Sequence, residues 1–202
     1  MKTTSIIPLF FIILLANCKR NSNQLAEKDI TLVMLNSNDK SVIIKNDMVF
    51  ANNKPFSGYL VEYYPTMQVA SKVGYLNGKM EGTYQKWYEN GQKMEERSYK
   101  QNRKIGVHES WWASGKPKFK YVIDNDIPVG THYEWYENGQ LFSLTNYNNL
   151  GQPEGKQQMW YNTGQVKANY VIKDGRRYGF LGAKGCMGEG EMAQSGMKLT
   201  KN

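Results

Sequence analysis

Four sulfur groups near the C-terminus make the most chemically distinctive set in the chain. Cys186, Met187, Met192 and Met197 offer one thiol and three thioethers, a soft donor set of the kind that holds Cu(I). The plainer reading of the same residues is a Gly-rich tail with scattered methionines. His108 and His132 are the only histidines, each two residues after a glycine. Paired imidazoles suit zinc or proton transfer. Equivalent positions in successive hairpins are two strands apart, however, about 10 Å, and zinc–nitrogen bonds are about 2 Å long. The histidines therefore read as repeat-derived residues at a semi-exposed position. There is no Gly-rich phosphate loop, HExxH or paired CxxC, and no nucleophile stands with a base at a recognisable spacing. The expectation is a protein that is not an enzyme and needs no cofactor.

The third set is aromatic. Tyr63-Tyr64, Trp87-Tyr88, Trp111-Trp112, Trp135-Tyr136 and Trp160-Tyr161 recur at spacings of 24, 24, 24 and 25 residues, and they contain all five tryptophans. Neighbours in a strand point to opposite faces. The pairs thus predict two ladders: Tyr63, Trp87, Trp111, Trp135 and Trp160 on one face, and Tyr64, Tyr88, Trp112, Tyr136 and Tyr161 on the other. One ladder serves as core, and the other is a candidate binding surface. Ring faces at about 10 Å intervals suit protein side chains or the sugars of a glycan.

The elements that position these rings follow from the same ruler. Gly58, Gly82, Gly106, Gly130 and Gly155 each stand five residues before a pair, and Gly179 continues the series. Turn signals follow each of the last four pairs: Asn90-Gly91, Ser114-Gly115, Asn138-Gly139 and Thr163-Gly164. They are expected to supply the positive φ angles of tight hairpins. A second strand then closes at Tyr75, Tyr99, Ile123, Tyr147 or Ile172, before a second turn signal such as Asn77-Gly78 or Asp174-Gly175. Two strands and two turns fill 24 residues. The fold class is all-β: an elongated antiparallel meander of stacked β-hairpins built from five 24-residue repeats. The extra residue of the 25-residue spacing falls at the Asn148–Gly151 turn, where insertion leaves the strand register intact.

The Gly, the aromatic pair, the Asn-Gly-Gln and the closing Tyr-x-Asn-Gly resemble the MORN-repeat variant of bacterial proteins, over residues 58–179. Gly58 to Gly82 departs from the pattern, with Pro65-Thr66-Met67 at the turn. The resemblance implies a twisted, mostly single-layer sheet that binds or scaffolds rather than catalyses. Many such proteins carry the label of antitoxin component, which makes that role an alternative.

The N-terminus speaks to location. Ile6 to Ala16 is an apolar run after Lys2, too short to span a bilayer comfortably. It ends at Leu15-Ala16-Asn17-Cys18, which resembles the lipobox of bacterial lipoproteins, where cleavage precedes an acylated cysteine. Residues 1–17 then form the signal peptide, 18–28 a flexible tether, 29–57 an N-terminal capping segment, 58–179 the repeat domain and 180–202 a Gly/Met-rich tail. Within the cap, the apolar run Ile30 to Leu35 suits either a strand or a short helix. Acylation of Cys18 leaves Cys186 as the single thiol, so no internal disulfide forms. The net charge of +8 would suit nucleic acid, but export argues against that partner. The expected partners are the membrane, through the lipid, and another protein of the bacterial cell envelope. A glycan or an anionic lipid is the alternative. The tether has no acidic run after Cys18, which points to the periplasmic side of the outer membrane.

Overall fold

The computed structural model describes residues 30–182. They form strands and turns, with no helix among them. The chain begins with β1 (Met34–Asn36), β2 (Val42–Lys45), β3 (Met48–Ala51) and β4 (Lys54–Pro55). It continues through β5 (Gly58–Tyr63), β6 (Val69–Leu76), β7 (Lys79–Trp87), β8 (Lys93–Lys100), β9 (Arg103–Trp111) and β10 (Pro117–Asp124). The last strands are β11 (Ile127–Pro128), β12 (Gly130–Trp135), β13 (Leu141–Tyr147), β14 (Pro153–Trp160), β15 (Val166–Lys173) and β16 (Arg176–Phe180). From β5 to β16 each strand pairs with the next in an antiparallel meander, with the short β11 held on β10. This is the all-β stack of hairpins that the 24-residue period predicts.

The apolar run after Ile30 ends in a strand rather than a helix: β1 pairs parallel with β5, and residues 30–33 lie outside regular structure. β2, β3 and β4 make a separate three-stranded sheet. Its Val49, with Phe56, packs on Leu60, while Ile30 packs on Tyr59 and Val61. Adjacent strand residues face opposite sides, so β5 is covered on both. Tyr59, Leu60 and Val61 are accordingly 4%, 6% and 3% exposed. Among the described residues nothing comparable covers the other end, where all five residues of β16 are exposed. Among the described residues no large side chain is fully buried. A single-layer sheet of this kind holds together through contacts between neighbouring strands rather than through a central core.

The two kinds of turn differ from expectation in an informative way. After the aromatic pairs the loops are three residues long, not two. Tyr88 N–H donates to Gln92 O and Gly91 N–H to Tyr88 O, at 2.8 and 2.9 Å, and the same pattern recurs at Trp112, Tyr136 and Tyr161. Only the glycine takes a positive φ there; Asn90 and Asn138 instead accept from the backbone N–H groups of Gln92 and Gln140. The short turns with positive φ at both central residues lie at the opposite edge: Asn77-Gly78, Gln101-Asn102, Asn125-Asp126 and Asp174-Gly175. The 25-residue unit has a three-residue loop at that edge too, closed by Gly151 N–H to Asn148 O, so the insertion is absorbed entirely in the turn.

The first repeat keeps the same loop without its glycine. Tyr64 N–H donates to Gln68 O and Met67 N–H to Tyr64 O, with Met67 at φ 64°. A Cβ in the left-handed region costs about 1–2 kcal/mol, and Met67 is 76% exposed, with little packing to offset that. Met67→Gly is therefore expected to stabilise the protein by about 1 kcal/mol, once the entropy of a freer unfolded glycine is subtracted. A higher thermal midpoint in a calorimetric scan is the result that checks it.

The repeat glycines bend the sheet. Gly82, Gly106, Gly130 and Gly155 sit at φ 73°, 71°, 67° and 73°. At each the ladder skips: Val73 pairs with Tyr84 but Tyr75 with Met80, and Glu96 pairs with Glu109 but Ser98 with Ile105. The strand kinks there, and the closing Tyr or Ile of the partner strand lies directly across, as in Gly82–Tyr99, Gly106–Ile123 and Gly130–Tyr147. A second irregularity marks the other end of each hairpin. Lys86 pairs with Glu95 but Trp87 with Lys93, leaving Met94 as a bulge residue, and Phe142 occupies the same place between Glu134–Ser143 and Trp135–Leu141.

Candidate functional site

The second members of the aromatic pairs sit where the strand gives way to the loop, and their polar tips tie one repeat to the next. Tyr64 OH donates to Trp87 O at 2.8 Å and Tyr88 OH to Trp111 O at 3.0 Å. Trp112 Nε1 donates to Trp135 O at 3.3 Å and Tyr136 OH to Trp160 O at 3.0 Å. A half-buried phenol or indole needs such a partner, and the carbonyls that accept lie at the bulges, where the ladder is interrupted. Tyr161 ends the row at 47% exposure, with Lys167 Nζ 5.6 Å from its ring centroid. The first members Trp87, Trp111, Trp135 and Trp160 are half-buried on the other side, and Tyr63 is exposed. Neither ladder is the core of a second layer.

The histidines require a correction. They are not semi-exposed: His108 is 3% and His132 7% exposed. His108 Nε2–H donates to Ser98 O and Ile105 O, both at 3.2 Å. His132 Nε2–H donates to Val122 O at 2.8 Å and also bonds the Val129 backbone. Gln157 fills the same position in the next repeat, and its Nε2 donates to Asn146 O and Glu154 O. In each case the acceptors are the residue just before the repeat glycine and the residue just before the closing Tyr or Ile. The kink exposes these carbonyls inside the sheet, and the side chain two residues after the glycine plugs them. Burial pushes both imidazoles below the ordinary histidine range, against the opposing pull of those carbonyls. Both rings are therefore neutral donors at neutral pH.

Where the third and fourth repeats meet, this polar and aromatic scaffolding opens a hollow of about 510 Å³. β10 contributes Lys118, Phe119 and Tyr121 to its wall, and β12 contributes Glu134 with the following Trp135, Tyr136 and Glu137. Trp112 and Phe142 close the ends. Phe119 stacks on Tyr121 with centroids 4.5 Å apart, and Phe142 meets Tyr136 edge-on at 5.1 Å. Trp135 stacks instead on Tyr133 of its own strand, at 5.7 Å. Lys118 Nζ lies 4.5 Å above the Trp112 ring. Glu134 accepts from Tyr121 OH, and its other oxygen accepts from Ser143 Oγ at 3.0 Å. Burial first, and the Glu134 carboxylate second, push the Tyr121 phenol well above its ordinary range, so it remains a donor. A second hollow of about 380 Å³ adjoins the first, shares Tyr121 and Glu134 with it, and runs on to Ile123, His132 and Tyr147.

Of the residues expected to form a binding surface, the fold thus brings Trp112, Trp135 and Tyr136 together. It disperses Tyr64, Tyr88, Trp87, Trp111, Trp160 and Tyr161 along the sheet. Phe119, Tyr121, Glu134 and Phe142 belong to the site although the pair pattern does not contain them. A signal for one of them was present. The position after the bulge is Ser71, Glu95, Phe119, Ser143 and Ala168 in the five units, and Phe119 is the only aromatic there. Cys18, Cys186, Met187, Met192 and Met197 lie outside the described residues. Among the described residues no three His, Cys, Asp or Glu side chains form a group that could hold a metal ion. No helix among them is long and apolar enough to cross a membrane.

The MORN repeat variant family matches residues 80–101 and 128–149. The first MORN match covers most of the β7–β8 hairpin, and the second covers β12–β13 with the loop that follows. The β9–β10 hairpin between them has the same kink, bulge and three-residue loop. The hollow lies between the β9–β10 unit and the second MORN match. No curated protein matches the chain significantly.

Proposed function

We propose that this protein is a non-enzymatic binding module, held at a bacterial envelope membrane by a lipid on Cys18, that engages a partner protein through the aromatic hollow. The observation that carries the reading is the hollow itself. Here five rings from two strands and two loops line a concave, largely apolar space with a few charged groups at its border. Sites that bind have that composition, and buried aromatic pockets are where interface energy concentrates. The rings are pre-set: Trp112 and Tyr136 are pinned by hydrogen bonds to the next repeat, so little ordering cost remains on binding. Repeats of the matched family are binding rather than catalytic units, which agrees.

The anchor rests on Leu15-Ala16-Asn17-Cys18 at the end of an apolar run. Metabolic labelling with a clickable fatty acid is expected to mark the full chain and to be lost in Cys18→Ala; label persisting in that variant would remove the anchor from the proposal. For the hollow, affinity capture from detergent-solubilised envelope is compared between the parent chain and Phe119→Ser. A partner retained by the first and lost by the second supports the reading. Identical captures would refute it.

A further inference from the structure

The hollow between the third and fourth repeats has a charge that runs against the rest of the chain. Its charged residues are Lys118, Glu134 and Glu137, a local excess of one negative charge in a protein of net +8. Each oxygen of Glu134 already accepts one internal bond, from Tyr121 and from Ser143. A carboxylate has about four acceptor sites, so two remain for an incoming donor. Around it stand the rings of Trp112, Phe119, Tyr121, Tyr136 and Phe142. Aromatic faces attract organic cations through their quadrupoles, and this hollow already shows the contact internally, with the Lys118 ammonium 4.5 Å over Trp112.

Resting on the partner-protein reading above, we propose that the occupant of the hollow is an arginine side chain carried on an extended segment of the partner. A guanidinium is planar and weakly hydrated. It can lie against the rings and donate a two-pronged pair of bonds to the oxygens of Glu134, which a compact ammonium does less well. The second hollow extends the same depression along the strands past Glu134 to Ile123 and Tyr147. A strand-like segment places residues i and i+2 on one side, about 7 Å apart, and so fills both hollows. An isolated ion or a lipid headgroup fills only one. Lys118 is then a competitor, because its charge opposes the incoming guanidinium and its chain covers one ring.

The test is a titration of the full chain with a blocked Gly-Arg-Gly peptide at low salt, followed by tryptophan fluorescence. Parallel titrations use the same peptide with citrulline, phosphatidylcholine vesicles and a chitin oligosaccharide. The arginine peptide is expected to bind, and the citrulline peptide at least about tenfold more weakly. Phe119→Ser, which installs the residue found at that place in two other repeats, and Glu134→Gln should each weaken binding about tenfold. Lys118→Ala should tighten it several-fold. Equal affinity for citrulline, preference for the vesicles or the oligosaccharide, or weaker binding by Lys118→Ala would overturn the proposal. The two readings fail separately. A hollow that ignores arginine but still loses its envelope partner on Phe119→Ser refutes only the arginine. A hollow that binds arginine but captures no partner refutes only the envelope role.

Discussion

Gly58→Ala is expected to cost at least about 3 kcal/mol, whereas Gly91→Ala costs about 1 kcal/mol. Both glycines have positive φ, +149° and +81°, so both substitutions strain the backbone. The surroundings separate them. A Cβ at Gly58 would stand 2.5 Å from Val33 O and 2.7 Å from Phe56 Cζ, while at Gly91 it meets nothing within 4 Å. Val33 O is not free to move, since it accepts from Tyr59 N–H at 2.7 Å beside the parallel pairing of β1 and β5. Phe56 is pinned against Val49 and Leu60. The new methyl must therefore push the cap away from the first hairpin. In a sheet whose units contact only their neighbours, the loss should begin locally. Hydrogen exchange is expected to show lost protection in β1 and β3 to β6 first, with β12 to β15 unchanged. Equal drops in thermal midpoint for the two variants would contradict this account.

The second large effect is expected at His132. Removing the imidazole in His132→Ala breaks its bonds to the Val122 and Val129 backbone; Val122 O keeps Val129 N–H at 2.9 Å, and each lost bond costs about 0.5–1.5 kcal/mol. The ring also lies 4.8 Å from Tyr121 and 4.7 Å from Tyr147, contacts that vanish with it. A total loss of about 2–4 kcal/mol follows. His132→Gln should retain most of the stability, because Gln157 performs the same task one repeat on.

The glutamine variant has a second consequence, in the pH profile. Burial lowers the folded-state pKa of His108 and His132 below the ordinary value of 6.5. Arg97 and Lys104 push His108 further down, whereas Glu134 pulls His132 up. Between 6.5 and the lowered values the unfolded chain binds more protons than the folded one, so stability falls as pH falls through that window and levels off beneath it. Above 6.5 the two histidines contribute no slope. The double variant His108→Gln, His132→Gln is expected to flatten the thermal midpoint between pH 7 and pH 5. A slope unchanged from the parent chain would place its origin elsewhere.

Much of the architecture was legible because it is local. A positive-φ turn residue, an aromatic pair and a kink glycine each act within a few residues, and their 24-residue recurrence predicts the meander directly. The turns show where local reading fell short. Asn90-Gly91 and Asn77-Gly78 are the same dipeptide, yet only the second has both residues at positive φ. The first belongs to a longer loop in which Asn90 caps Gln92 and reaches across to Ala113 O at 3.3 Å. The loop type is settled by the adjoining bulge and by the neighbouring repeat, not by the dipeptide. Burial of the histidines was hidden for a similar reason. A residue two positions after a glycine looks semi-exposed in a flat strand, and only the kink turns it over carbonyls from two strands.

The amino-acid sequence by itself determined the period, the number of hairpins, the all-β class and the rows of aromatic residues, since each depends on backbone preference and strict repetition. The tertiary structure alone decided which rings enclose a hollow. Every hairpin carries a bulge at one end, and each after the first a kink at the other, and each breaks the two-residue alternation from which faces are read. Contacts such as Tyr136 OH to Trp160 O join residues a full repeat apart. Phe119, Tyr136 and Phe142 therefore meet around Glu134 only once the strands are laid side by side and their irregularities add up.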